Sequence, residues 1–130
     1  MIIDKKFLDS ISAKAKKCER LRMNYNFHES WESKAQILLN AMELGTNVPI
    51  GRHMTTAETL VVLRGALKIM FFDDNKNIIM EKIINPTIGV YGVSIPKGQW
   101  HQVEVLEANT MVFESREGPY APLSEEDILK

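Results

Sequence analysis

Apolar side chains recur every three or four residues at the start of the chain, at Phe7, Leu8, Ile11, Ala15, Cys18 and Leu21, with Lys5, Lys6, Lys14, Lys16 and Lys17 between them. That spacing predicts one amphipathic helix over residues 4–21, its lysines forming a solvated face. Asp4 is the expected N-cap, with Ile3 packing back onto Leu8. After Arg22 the period falls to two and the apolar runs shorten to strand length. Strands are expected at 23–28, 36–44, 58–64, 66–72, 78–84, 90–95, 101–106 and 110–116. Between them lie turn formers such as Gly65, the run Asp73-Asp74-Asn75, Asn85-Pro86 and Pro96-Lys97-Gly98.

Short strands without a second helical stretch predict an all-β fold, a small antiparallel barrel or jelly roll carrying an N-terminal helix. With no internal repeat, low-complexity tract or linker, the expected organisation is a single domain over 1–130. Its parts are a helix to residue 21, a barrel over 22–116 and a tail over 117–130. The stretch Gly118-Pro119-Tyr120-Ala121-Pro122 cannot continue a strand ladder. It is expected to cross the surface or a partner subunit, with Ser124 to Asp127 opening a last helical turn.

Composition narrows the possible partners. The 130 residues, 45% hydrophobic and 25% charged, suffice for one real core. Sixteen Lys and Arg against 17 Asp and Glu leave a net charge of −1, so no global field draws the chain to nucleic acid or to an anionic membrane. No apolar run approaches the roughly 18 residues of a membrane span, and charges fall where a secretory signal has its apolar stretch, so a cytoplasmic location is expected. Cys18 is the only cysteine. It excludes an intramolecular disulfide and any thiolate cluster, which leaves imidazole and carboxylate to hold a metal. The absence of a Gly-rich phosphate loop and of a Ser-centred nucleophile elbow argues against nucleotide and covalent hydrolases.

Two of the three histidines flank turns next to strands. His53 follows Gly51-Arg52 and precedes Glu58 by five residues, and His101 closes Pro96-Lys97-Gly98-Gln99-Trp100-His101. On neighbouring strands of a barrel, His53, Glu58 and His101 can point inward at one spot. Two imidazoles and a carboxylate with open positions form the ligand set of non-haem iron(II) and of catalytic zinc. The alternative is a pair of turn-flanking histidines bonded to backbone carbonyls, with Glu58 a solvated strand residue. Asn24, Asn26 and His28 share one strand face, which is either a hydrogen-bonding interior wall for a polar ligand or the wet side of an edge strand. Tyr120 can lid the barrel mouth and offer its hydroxyl, or anchor the tail by packing. Arg52, Arg64 and Arg116 can grip an anion bidentately or be ordinary surface charge. Trp31 and Trp100 fit core or interface positions, and Cys18 fits a small hydrophobe on the inner side of the helix.

Gly45, Gly51, His53, Glu58 and Gly65 stand at the spacing of the first cupin motif, and Pro96, Gly98 and His101 resemble the second. More narrowly, Asn24 to Ser30, Leu38 to Ala41, Val48-Pro49-Ile50 with Arg52-His53, Glu58 to Gly65, Ile95 to His101 and Gly118-Pro119-Tyr120 resemble the WbuC family of cupin-fold metalloproteins, over a span from Arg22 to Tyr120. The chain departs from the pattern at Gly51, where the cupin motif has its first histidine. It departs again at Val90 and Val105, at Ile37 where the family has an arginine, and at Arg116 where it has a lysine.

The resemblance implies a divalent metal (Zn, Fe, Mn or Ni) at His53, Glu58 and His101, with one of the usual four ligands missing. It also implies a pocket in which Asn24, Asn26, Arg116 and Tyr120 contact a small polar ligand, sugar-related through surface-polysaccharide metabolism. A catalytic version would use His28 or a metal-bound hydroxide as base, in an isomerisation, hydrolysis or oxygenation. The alternative function is a non-catalytic binding or regulatory module that has lost its metal. Unprotected sheet edges lead to the expectation of a homodimer.

Overall fold

The structure, a computed structural model, describes residues 1–129, so Lys130 at the end of the expected tail lies outside the described residues. The helix α1 spans Lys5–Lys17, and Asp4 caps it by accepting a hydrogen bond from the Phe7 N–H at 2.9 Å. It is shorter than the apolar spacing suggests. Cys18 has already left helical geometry and Leu21 is left-handed (φ 57°), because the chain must reverse there to enter the first strand. Ile11 and Ala15 are buried against Leu39, Ala41 and Met111, which fixes the helix on one sheet face.

Ten strands follow: β1 (Arg22–Asn26), β2 (Ala35–Met42), β3 (Ile50–Gly51), β4 (Glu58–Arg64), β5 (Leu67–Phe72), β6 (Ile78–Ile84), β7 (Gly92–Ile95), β8 (Trp100–Val105), β9 (Thr110–Glu117) and β10 (Ile128–Leu129). They form two antiparallel five-stranded sheets, ordered β1-β2-β9-β4-β7 and β10-β3-β8-β5-β6. This is the all-β jelly roll with an N-terminal helix that the pattern predicts.

The expected eight strands are corrected to ten. β3 and β10 have two residues each, too few to show a period, and they pair through Ile128↔Gly51 and Leu129↔Ile50. The tail therefore ends as the edge of the second sheet, although 118–122 stays outside the ladders as expected. Its helical turn is a short 3-10 segment, Glu125–Asp127. β7 starts at Gly92, two residues later than expected. The 3-10 turn Pro86–Ile88, capped by Asn85 and closed by left-handed Gly89, leaves Val90 only an isolated bridge to Asn85.

Strand alternation divides the interior in two. On β9, Met111 and Phe113 face the helix with Leu39 and Ala41, while Val112 joins Met42, Leu60, Val62, Leu67, Ile69, Ile84, Ile95 and Val105 in the core between the sheets. Along β4, β8 and β9 the inward positions turn polar towards one end of the barrel, at Glu58, His101, Glu114 and Arg116. The apolar end stabilises the sandwich and leaves the polar end free to be hollow.

Candidate functional site

The hollow end is a cavity of about 340 Å³. Strand register assembles it. Glu58 on β4 stands opposite Arg116 on β9, and Gly51 on β3 stands opposite His101 on β8. His53 lies just past β3, and its carbonyl accepts the Gly98 N–H at 2.8 Å, which ties the His53 loop to the turn that launches β8. Gly98 is left-handed at φ 76°, a conformation that favours glycine over any residue with a Cβ.

His53, Glu58 and His101 converge as expected, offering donor atoms that all lie within 4.8 Å of one another. His101 Nε2 is 3.0 Å from Glu58 Oε1, and its Nδ1 is 2.9 Å from the Gln99 carbonyl. Both ring nitrogens face acceptors, so the ring carries two protons, or one proton and a cation in place of the second. Burial alone would lower the His101 pKa, but the hydrogen bonds to Glu58 and to the Gln99 carbonyl raise it. Burial likewise acts to raise Glu58, yet the His101 hydrogen bond and the charges of His101, His53 and Arg116 hold its carboxyl below the ordinary range. At His53, burial outweighs the attraction of Glu58 and lowers the pKa, so the ring is neutral. Its Nε2 accepts from the Arg116 guanidinium at 3.1 Å.

These residues fit a divalent ion. Donors about 2.1 Å from a tetrahedral ion stand roughly 3.4 Å apart, so small side-chain adjustments close the set. Two neutral nitrogen donors and a carboxylate suit zinc, iron(II) or a neighbouring transition metal, and Gln99 orients the His101 ring from outside. Gly51 contributes no ligand. Its missing side chain is matched by Leu123, whose Cδ1 lies 3.0 Å from where a Cβ on Gly51 would stand.

Of the residues expected around a ligand, Asn24, Arg116 and Tyr120 line the cavity. The Tyr120 ring stacks on Trp31, with centroids 4.6 Å apart, so one side chain both borders the cavity and anchors the tail. Asn26 and His28 do not line it, which corrects the single interior stripe expected from the sequence. β1 stops at Asn26, and His28 turns away, its Nδ1 accepting the Ile37 N–H at 3.1 Å. The expected base is thus bound to the backbone outside the cavity. Arg52 pairs with Asp127 at 3.0 Å and sits over the Trp100 ring, while Arg64 binds Asp9 at 2.7 Å. Neither faces the cavity. Cys18 is half-buried at the helix end, its thiol lowered from the ordinary value by hydrogen bonding to Arg20.

Arg20, Arg22, Asn40 and Glu114 also line the cavity; only Asn40 falls within a family-like stretch, and no motif marks the other three. Alternation alone could have found three: Arg22 shares a face with Asn24, Asn40 with Met42, and Glu114 with Arg116. Glu114 keeps an opening to the cavity while protein surrounds its carboxyl. Burial, reinforced by the charge of Glu58, pushes that carboxyl up to about 7, although Asn40 donates to it at 3.2 Å.

A family model described as a domain of unknown function, DUF6016, matches residues 3–84, more than half of the chain. The chain belongs to that family. The DUF6016 match includes His53 and Glu58 and stops before His101. No curated protein matches the sequence. Among solved structures, this DUF6016 chain is similar to the capsular polysaccharide assembling protein CapF of Staphylococcus aureus. That match has 23% identity and a TM-score of 0.62, covering 81% of this chain and 28% of CapF. BH2720 from Bacillus halodurans is 17% identical, with a TM-score of 0.63 over 95% of this chain and 85% of that one. A cupin 2 domain-containing protein from Halorhodospira halophila is 16% identical, with a TM-score of 0.58 over 79% and 68%. At these identities the likeness shows the fold, which is that of the cupins. Among the described residues no helix is long and apolar enough to cross a membrane.

Proposed function

We propose that this chain is a metal-binding cupin whose cavity binds or transforms a small polar metabolite. The observation that carries the reading is the convergence of His53, Glu58 and His101 at the polar end of the barrel. When bound there, a divalent ion would act as a Lewis acid on a hydroxyl or carbonyl oxygen of the ligand. The chain's own residues do the rest. Arg116 stands beside both Glu58 and His53, where it can orient a negative or carbonyl group. Glu114 holds a proton near neutrality on the same cavity wall, and Tyr120 narrows the mouth.

A sugar-related ligand is supported by the motifs resembling the WbuC family and by the similarity in fold to CapF, a capsular polysaccharide assembling protein. This chain spans 28% of CapF, so that role enters here only as support for the ligand class. The exposed Ile78, Ile79 and Ile83 on edge strand β6 support a homodimer, against which a single 14.8 kDa species in sedimentation equilibrium would count.

One observation favours the second reading, a metal-free binding module. The Arg116 guanidinium already engages the His53 lone pair that a metal would use. Calorimetric titration of the purified chain with Zn²⁺ separates the two. The metal reading expects one saturating site, weakened roughly a hundredfold or more in Glu58→Gln, since a charged ligand is lost. Heat indistinguishable from dilution would leave the binding module.

A further inference from the structure

The chain has five arginines, and three of them have carboxylate partners: Arg52 with Asp127, Arg64 with Asp9 and Arg116 with Glu58. Arg20 and Arg22 have no ion pair among the described residues, and both line the cavity. On open surface an unpaired guanidinium is ordinary. Arg22 is half-buried, and among the described residues its guanidinium donates to the Asn47 carbonyl at 3.2 Å, a neutral acceptor. Burial, with the neighbouring charge of Arg20, lowers its pKa against the smaller opposing pull of Cys18 and Glu114, so two guanidinium groups lie near one another with no ion-paired carboxylate among the described residues. Two such groups on one cavity wall favour an anion beside them.

The backbone enforces this proximity. Leu21, between the two arginines, is left-handed, an uncommon state for a residue with a branched side chain. Its N–H donates to the Cys18 carbonyl and its carbonyl accepts the Glu43 N–H, both at 2.9 Å. Deeper in the cavity, Asn40 Nδ2 donates to Glu114, while Asn40 Oδ1 is buried with no hydrogen-bond partner among the described residues. A buried carbonyl oxygen of this kind calls for a donor such as a hydroxyl.

We propose that the cavity is shaped for an anionic polyol, a small hydroxylated molecule bearing a carboxylate or phosphate. Arg20 and Arg22 take the anionic group, and Asn40 with Glu114 takes hydroxyls. The inference rests on the polar-metabolite reading above and narrows it, but the arginine contacts need no metal.

Amide NMR titration of the full chain tests it, using D-glucuronate, D-glucose 6-phosphate and inorganic phosphate as anionic probes and D-glucose as the neutral one. The expected result is saturable shifts at Arg22, Asn24 and Asn40 with at least one anionic probe, and binding roughly tenfold or more weaker for glucose. Binding should weaken by a similar factor in Arg20→Gln/Arg22→Gln. Glucuronate against the two phosphates tells carboxylate from phosphate. Arg20→Gln alone, at an exposed side chain, serves if the double variant does not fold. The proposal is overturned if no anionic probe gives saturable shifts at these residues, if glucose binds as tightly, or if the variants bind like the parent. Metal content measured on the same samples keeps the readings apart. Anion binding without metal would remove the metal reading alone, and bound metal without anion binding would remove this inference alone.

Discussion

Leu123 stands in the space that a side chain on Gly51 would enter, with its Cδ1 3.0 Å and the Asp127 carbonyl 3.4 Å from the position of a Cβ. Position 51 is where the cupin pattern has its first histidine. The segment after β9 therefore fills the volume that a side chain at position 51 would take, and a histidine placed there must displace it. Gly51→His is expected to cost about 1–3 kcal/mol in urea unfolding, as overpacking does, with no gain in metal affinity. Adding Leu123→Ala should recover most of that loss. A Gly51→His protein as stable as its parent and binding metal more tightly would show that the space is not shared.

Glu114 makes stability depend on pH with a definite sign. Its folded pKa of about 7 lies above the ordinary carboxylate value, so the folded state holds the proton more tightly. That contribution is full below about pH 4 and is lost as pH rises through 7. At about 1.4 kcal/mol per pKa unit it is at most about 3 kcal/mol, because the carboxyl is open to cavity water. Urea unfolding at pH 5 and pH 8 should show the parent losing stability relative to Glu114→Gln. Parallel pH dependence in the two proteins would place an ionised Glu114 in the fold.

Asp127 holds the closing segment over the cavity. It accepts from Arg52 Nε at 3.0 Å and from the Ser124 hydroxyl at 3.1 Å, and its carbonyl accepts the Arg52 N–H. Asp127→Ala should cost about 1 kcal/mol, the usual scale for one such contact, and should speed amide exchange at Arg52, which bonds to this segment. Unchanged exchange there would mean that β10 pairing alone secures it.

Much of this architecture is legible in the sequence where periodicity is long enough to read. The expected bounds of β4 and β6 match because each carries seven residues of pattern between clear turn formers. β3 and β10 are invisible because two residues have no period, and their pairing joins positions far apart in the chain. The same limit explains the site. His53, Glu58 and His101 follow from motif spacing, whereas Arg20 reaches the cavity through the left-handed turn at Leu21. His28 misleads because β1 ends at Asn26, two residues short of it, so strand alternation no longer sets where its ring points. Glu114 was legible in principle, two residues from Arg116 on an alternating strand, but no motif drew attention to it.

The most direct measurement is the metal content of protein purified without chelators, parent against His53→Ala/His101→Ala, with folding of both checked by circular dichroism. The account predicts close to one divalent ion per parent chain and almost none in the folded double variant. Equal metal in the two proteins, or none in the parent even after incubation with zinc, iron(II), manganese(II) and nickel(II), would contradict it.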